Sequence, residues 1–147
     1  MIDKQQIARL VPHAGTMCLL DAVVEWDGGR IHCTTTTHRA NDNPLRHNGR
    51  LGILAGVEYA AQAMALHGAL AASDAECTGA ARSGFLASLR SVTCHADRLD
   101  LLPAPIIVEA ERLHGNTDRA IYRFALSHRG SVLLSGRAAV VLLNAPK

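Results

Sequence analysis

The chain has 147 residues, a length typical of a single domain that builds its own core. A formal net charge of +2 is too small to indicate a nucleic-acid or anionic-membrane protein, and 3% aromatic residues disfavour a base-stacking surface. The four cysteines occur in no CxxC or CxxH spacing, so neither a metal site nor another cofactor is predicted. No apolar signal segment opens the sequence, and we expect a cytoplasmic protein with one domain over residues 1–147.

The first third of the chain predicts short elements. Asp3 is a suitable N-cap for a helix that Pro12 ends, and Gly28 with Gly29 predicts a hairpin turn. The predicted elements are a helix over residues 3–11, strands over 17–26 and 30–38, and a polar loop over 39–50.

Residues 51–72, LGILAGVEYAAQAMALHGALAA, form the longest apolar stretch and predict a helix. A helix that is apolar nearly all round belongs inside a protein. Its length would permit a membrane span, but Glu58, Gln62 and His67 argue against one, because ionisable groups are costly at mid-bilayer. We therefore expect a central helix that carries a carboxylate within the core.

The remainder of the chain predicts strands separated by turns. These strands cover residues 83–95, 106–113, 119–129 and 131–143. Six strands and one long apolar helix predict an α+β domain in which a curved antiparallel sheet wraps the helix, the hotdog arrangement. Such a sheet leaves edges exposed, so we expect a homodimer or higher homo-oligomer that extends the sheet, or a heterodimer with another hotdog subunit.

Two segments resemble the hotdog 3-hydroxyacyl-acyl-carrier-protein dehydratases of the FabZ type. LVPHAGTMCLLD at residues 10–21 is similar to that family's L-P-H-R-x-P-x-L-L-V-D opening, and GVEYAAQA at residues 56–63 is similar to its E-x-x-A-Q helix. The resemblance is closer to a divergent branch of predicted dehydratases, including those of aryl-polyene gene clusters, which shares P-H-x-x-x-M-x-L-L-D and E-Y-x-A-Q. It implies dehydration of a 3-hydroxyacyl thioester carried on an acyl carrier protein or CoA.

One position departs from the FabZ pattern. In that pattern a catalytic histidine in an H-F-P-G loop precedes the helix glutamate by 14 residues, and here Pro44 occupies that place. His47 lies 11 residues before Glu58, and His13 lies in the opening motif. Either histidine is a candidate base, and the elimination chemistry could also be altered or lost.

The residue types suit dehydration. A neutral histidine is the natural base for the proton at C2 near pH 7. Glu58, in an apolar helix that would favour its protonated form, is the candidate acid. Gln62 lies one helical turn on and is expected to orient Glu58. Backbone N–H groups at the helix start would hold the thioester carbonyl, with Gly52 and Gly56 allowing the acyl chain close approach.

Two other functions remain open from the sequence. Some hotdog thioesterases act with a helix carboxylate alone and need no histidine, a possibility that Pro44 keeps open. The third is a non-catalytic acyl-binding subunit that completes a heterodimer. The candidate site residues are Glu58, His13 and His47 for catalysis and Gly52, Gly56 and Gln62 for substrate binding.

Overall fold

The computed structural model describes residues 1–11, 15–74, 82–103, 105–116 and 118–144. Two α-helices and six strands make up the regular structure of these ranges. In chain order they are α1 (Lys4–Leu10), β1 (Ala22–Trp26), β2 (Arg30–Thr35), α2 (Gly56–Asp74), β3 (Arg82–Cys94), β4 (Ile106–Gly115), β5 (Arg119–His128) and β6 (Ser131–Asn144).

The strands form one antiparallel sheet in the order β1-β2-β4-β5-β6-β3, which wraps around α2. Alternating residues of β4 and β5 are buried against the helix, among them Val108, Ala110, Tyr122, Phe124 and Leu126. The predicted α+β hotdog fold is therefore confirmed. No helix in the described ranges is both long and apolar enough to cross a bilayer.

Local signals explain several boundaries. Asp3 and Gln6 form a capping box at the start of α1, each side chain accepting from the other's backbone N–H. At the β1–β2 turn, the Asp27 carboxylate accepts hydrogen bonds from the N–H groups of Gly29 and Arg30. These turn contacts set β1 antiparallel to β2 at the hairpin predicted from the two glycines.

The two predicted early strands are too long. Residues 15–17 form a 3₁₀ turn, and β1 begins only at Ala22. Three consecutive residues, Cys18, Leu19 and Leu20, are buried, which breaks the alternation of a strand. The strand β2 ends at Thr35 because the N–H and hydroxyl of Thr36 bind the Asp21 carboxylate, and a second 3₁₀ turn follows.

The observed helix differs at both ends from the one predicted over residues 51–72. A 3₁₀ turn, Ile53–Ala55, precedes α2, which runs to Asp74. The Leu51 N–H bonds the Asp100 carboxylate instead of entering the helix. The helix therefore starts at Gly56 and places Glu58 in its first turn.

Among the described residues, β3 is an edge strand of the sheet and pairs with β6 alone. Its described side chains from residue 86 onwards are exposed, including three apolar ones at 36–40% of their full exposure: Leu86, Leu89 and Val92. An exposed apolar edge strand is a surface that pairs readily with another strand.

Candidate active site

Glu58 lies in the first turn of α2 and is partly buried. The expectation of a carboxylate enclosed by core is therefore too strong, because Ala61 and Ala65 on the same face are also only partly buried. Glu58 accordingly lies at the boundary between the core and the exposed surface of the subunit.

Gln62, one turn after Glu58, is almost fully buried and makes three polar contacts. Its Oε1 accepts from the Leu19 N–H at 3.0 Å, and its Nε2 donates to the Met17 carbonyl at 2.7 Å. Its Nε2 also reaches the Glu58 Oε1 at 3.5 Å, at the limit of a hydrogen bond. Gln62 thus fastens residues 17–19 to the helix as its main contact and touches the acid as a weaker one.

The carbonyl of Leu19 is fixed from its other side. The hydroxyls of Thr35 and Thr37 both donate to it, the latter at 2.7 Å. Because its N–H donates to Gln62, Leu19 is held through both its N–H and its carbonyl. Leu19 is therefore clamped by side chains in place of a strand ladder, whereas the N–H groups of Cys18 and Asp21 donate to the backbone carbonyls of Gly15 and Thr34.

A second network joins α2 to the loop of residues 40–50. The buried Tyr59 hydroxyl lies 2.8 Å from the Thr37 hydroxyl and 2.9 Å from Nδ2 of Asn43. Asn43 also donates to the Thr37 carbonyl and accepts from the Leu45 N–H. Tyr59, the residue after Glu58, therefore anchors the start of this loop to α2.

Sequence reasoning did not find this network. The hydroxyls and the amide come from positions 35, 37, 43 and 59, and the clamped peptide is at 19. No local spacing connects such distant positions, and threonines on a strand are ordinarily explained by β propensity.

His47 is exposed at the far end of that loop. Its N–H and carbonyl pair with Arg50 across a two-residue turn, in which Asn48 and Gly49 have φ values of 52° and 72°. Arg46 braces the loop by donating to the carbonyls of residues 38, 40 and 49. His13, the other candidate base, lies outside the described residues.

The two glycines differ in their surroundings. A Cβ at Gly56 would lie 2.7 Å from Leu134 Cδ2 and 3.0 Å from Leu126 Cδ2, whereas Gly52 is exposed with nothing within 4 Å. Gly56 thus lets the helix approach the sheet closely. The substrate-binding role of both stays a prediction.

Three backbone N–H groups just before and at the start of α2 have partners within the subunit. The N–H groups of Ile53, Ala55 and Gly56 donate to carbonyls of Asp97, Gly52 and the 3₁₀ turn. The 3₁₀ turn before α2 thus satisfies these three N–H groups, and the role of the helix start in holding the thioester carbonyl stays a prediction.

Two buried histidines lie elsewhere, and burial favours the neutral form of each. His67 Nε2 donates to the Asp27 carbonyl at 2.8 Å, so its Nδ1 accepts from the Tyr122 hydroxyl at 2.7 Å. Burial lowers the pKa of His67, and the charge of Arg112 lowers it further. His38 is also buried, and desolvation likewise lowers its pKa.

The sequence matches the ApeP-like family, described as ApeP dehydratase, over residues 5–146. Among solved structures, it is similar to the dehydratase heterocomplex ApeI:P from Xenorhabdus doucetiae, with a TM-score of 0.82 and 22% identity over 96% of this chain and 91% of that one.

Hotdog thioesterases are structural neighbours too. One from Pseudomonas aeruginosa has a TM-score of 0.68 and 12% identity over 97% of this chain and 95% of that one. One from Haemophilus influenzae has a TM-score of 0.68 and 11% identity over 100% and 94% of the two chains. At these identities the structures show the shared fold, and no curated protein sequence matches significantly. The family match extends over nearly the whole sequence and includes Glu58, Gln62 and the clamped segment, and the chain therefore belongs to the ApeP-like dehydratase family.

Proposed function

We propose that the protein converts a 3-hydroxyacyl thioester into the 2-enoyl thioester and water. The observation that carries this proposal is the turn of α2 with Glu58 at an accessible boundary and Gln62 fastened to residues 17–19. Because Gln62 in that turn binds residues 17–19, the two motifs of the dehydratase resemblance meet there. Membership of the ApeP-like dehydratase family supports the same reaction class.

The reaction requires one base and one acid. A histidine takes the proton from C2, and the electron pair of that C–H bond forms the C2–C3 double bond. The C3–O bond breaks, and the hydroxyl takes the proton of Glu58 and departs as water. Proton return from the histidine to Glu58 restores both groups, so no external reductant or oxidant is needed.

We assign the base to His13 over His47. His13 precedes Met17 by four residues, a chain length of at most about 14 Å, and Gln62 holds Met17 against the turn that carries Glu58. His47 is exposed at the end of a hairpin turn, and its backbone N–H and carbonyl both pair with Arg50 within that turn. The clamp of residues 17–19 supports His13 because it fixes the segment that follows this histidine.

The substrate is carried on acyl carrier protein or CoA, because the family resemblance implies a phosphopantetheine thioester. We place the reaction in the cytoplasm. The buried thiols of Cys18 and Cys33 are free, which suits a reducing compartment.

A second hotdog subunit, identical or related, is proposed to pair along β3. The exposed Leu86, Leu89 and Val92 provide the apolar part of that contact, next to the partly buried face of α2. The similar structure from Xenorhabdus doucetiae is a heterocomplex, which supports a heterodimer as one form of this assembly. A partner at this edge would also cover the boundary at which Glu58 lies.

The test offers a 3-hydroxyacyl pantetheine or carrier-protein thioester and follows enoyl absorbance together with free thiol. Enoyl product without thiol is expected. Glu58→Gln and His13→Ala should each lower turnover by about 10²-fold or more, whereas Glu109→Gln, an exposed change on the sheet, should not. Full activity of Glu58→Gln would remove the acid from the mechanism, and loss in His47→Ala with retention in His13→Ala would reverse the assignment of the base.

Thioester hydrolysis is the second candidate function. The thioesterase neighbours share the fold, and Glu58 would act as base or nucleophile without a histidine. Thiol release that depends on Glu58 and not on His13 would establish hydrolysis in place of dehydration. If a folded protein gave neither product, alone or with a partner hotdog subunit, the chain would be an acyl-binding subunit.

A further inference from the structure

Five charged residues form one row across the sheet. Cross-strand pairing sets Arg30 of β2 opposite Glu111 of β4, and Glu111 opposite Arg123 of β5. Arg123 in turn lies opposite Arg137 of β6, which lies opposite Arg90 of β3. Directly opposed residues share one face of a sheet, so the row crosses five strands on a single face.

This face is the one that points away from α2. The neighbours of Arg123 and Arg137 along their strands, Tyr122, Phe124 and Ala138, are buried in the core. Side chains alternate along a strand, so the arginines project outward, and they are exposed.

Three of the five charged residues in the row are in ion pairs. Arg123 Nη1 lies 3.6 Å from Glu111 Oε1, and Arg30 Nη2 lies 3.4 Å from Glu25 Oε1. Within the described part of the chain, Arg137 and Arg90 have neither a hydrogen bond nor an ion pair through their side chains. The row therefore contains two pairs of arginines whose members lie directly opposite each other on adjacent strands. Like charges in such positions destabilise a sheet.

We propose that the arginine row, Arg123, Arg137 and Arg90, is a docking surface for an acidic helix of a partner protein. Adjacent strands are about 4.8 Å apart, and successive turns of a helix are about 5.4 Å apart. A helix lying across the strands with one carboxylate per turn would therefore meet the three guanidinium groups in register. Each pair would be a charge-assisted hydrogen bond, and the partner's charge would relieve the repulsion within the row.

Neither helix in the described part of the chain has such a row of acidic residues. Described helix α1 contains no acidic residue, and α2 contains only Glu58 and Asp74. Two copies packed sheet to sheet would need apolar faces, and this face has a charged row across five strands. Few aromatic residues and a net charge of only +2 favour a protein partner over nucleic acid.

The test uses the full chain and two synthetic alanine-rich helical peptides with equal numbers of glutamates. One peptide has them along one face, one per turn, and the other has them distributed round the helix. The first peptide should bind at low salt, and binding should weaken with added salt. Arg137→Gln and Arg123→Gln should each weaken binding by about fivefold or more, whereas Arg9→Gln, an exposed change of equal charge on α1, should leave it within about twofold.

A second readout separates docking from a structural role. Without peptide, Arg137→Gln should raise Tm by about 2–4 °C, because it removes both like-charge pairs. Equal binding of the two peptides, or equal weakening in Arg9→Gln, would overturn the proposal. So would self-association that Arg137→Gln abolishes, or tighter binding to phosphatidylserine vesicles or single-stranded DNA through the same arginines.

Discussion

At the scale of single residues, Gln62 connects the acid with the rest of the site. Its amide accepts a hydrogen bond from the Leu19 N–H and donates one to the Met17 carbonyl, and its contact with Glu58 is the longest of the three. The prediction that Gln62 orients Glu58 rested on the helical spacing of the two residues. The stronger contacts join residues more than 40 positions apart, and helical spacing contains no information about them.

Gln62→Leu should lower the free energy of unfolding by about 2–4 kcal/mol, because it leaves the Leu19 N–H and the Met17 carbonyl without partners. Urea unfolding measures the change. Gln5→Leu, the same substitution on the exposed side of α1, should change stability by less than about 0.5 kcal/mol. Similar small losses in both variants would mean that water replaces the amide.

At the scale of elements, the position of α2 depends on how closely it approaches β5 and β6. Gly56 begins the helix directly against Leu126 and Leu134. Its lack of a side chain therefore sets the distance from the helix to the sheet at the end that carries Glu58. The sequence predicted the helix from composition and missed the 3₁₀ turn before it, because Asp97 and Asp100, which bind that turn and Leu51, come from a distant loop.

Gly56→Ala should destabilise the protein by about 1–3 kcal/mol, because its Cβ would lie 2.7 Å from Leu134 Cδ2. Gly68→Ala is the matched control in the same helix. Nothing lies within 4 Å of the place that a Cβ would occupy there, so the alanine should add about 0.5–1 kcal/mol through helix propensity. Thermal unfolding of both variants compares them, and a stabilising Gly56→Ala would refute the close-packing argument.

At the scale of the whole molecule, buried polar groups tie the sheet and loops to the helix at separate places. His67 joins α2 to β5 and the β1–β2 turn, and the buried His38 bonds the Leu102 carbonyl through Nε2. No hydrogen bond reaches His38 Nδ1 from the described residues. Hydrogen bonds from Arg98, joined by one from the Leu51 N–H, hold the pKa of Asp100 well below its usual value.

These groups make stability depend on pH in two windows. Burial lowers the folded-state pKa of His67 and His38, so the unfolded chain takes up protons first as pH falls below about 6.5, at a loss of at most about 1.4 kcal/mol per pH unit for each histidine. The contribution of Asp100 is fully present above about pH 4 and is lost as pH falls further toward its depressed folded pKa. Urea unfolding from pH 8 to 3 measures both windows.

The variant His67→Gln isolates one group. Glutamine retains a donor for the Asp27 carbonyl and an acceptor for the Tyr122 hydroxyl, but it does not titrate. The loss of stability between pH 7 and 5.5 should therefore become smaller. An unchanged slope would show that His67 takes up its proton without cost in the folded protein.

Local sequence patterns were sufficient for the elements that depend on neighbouring residues. The apolar run of residues 51–72, the paired glycines after β1 and the later strands separated by turns predicted the α+β hotdog arrangement, because these are local signals. The two short motifs also indicated the family and Glu58. The three-dimensional structure was needed to show where the early strands end, that Glu58 lies at a boundary, that Tyr59 and Gln62 hold two distant segments, and that three arginines align. Those features depend on contacts between residues far apart in sequence, which no local pattern encodes.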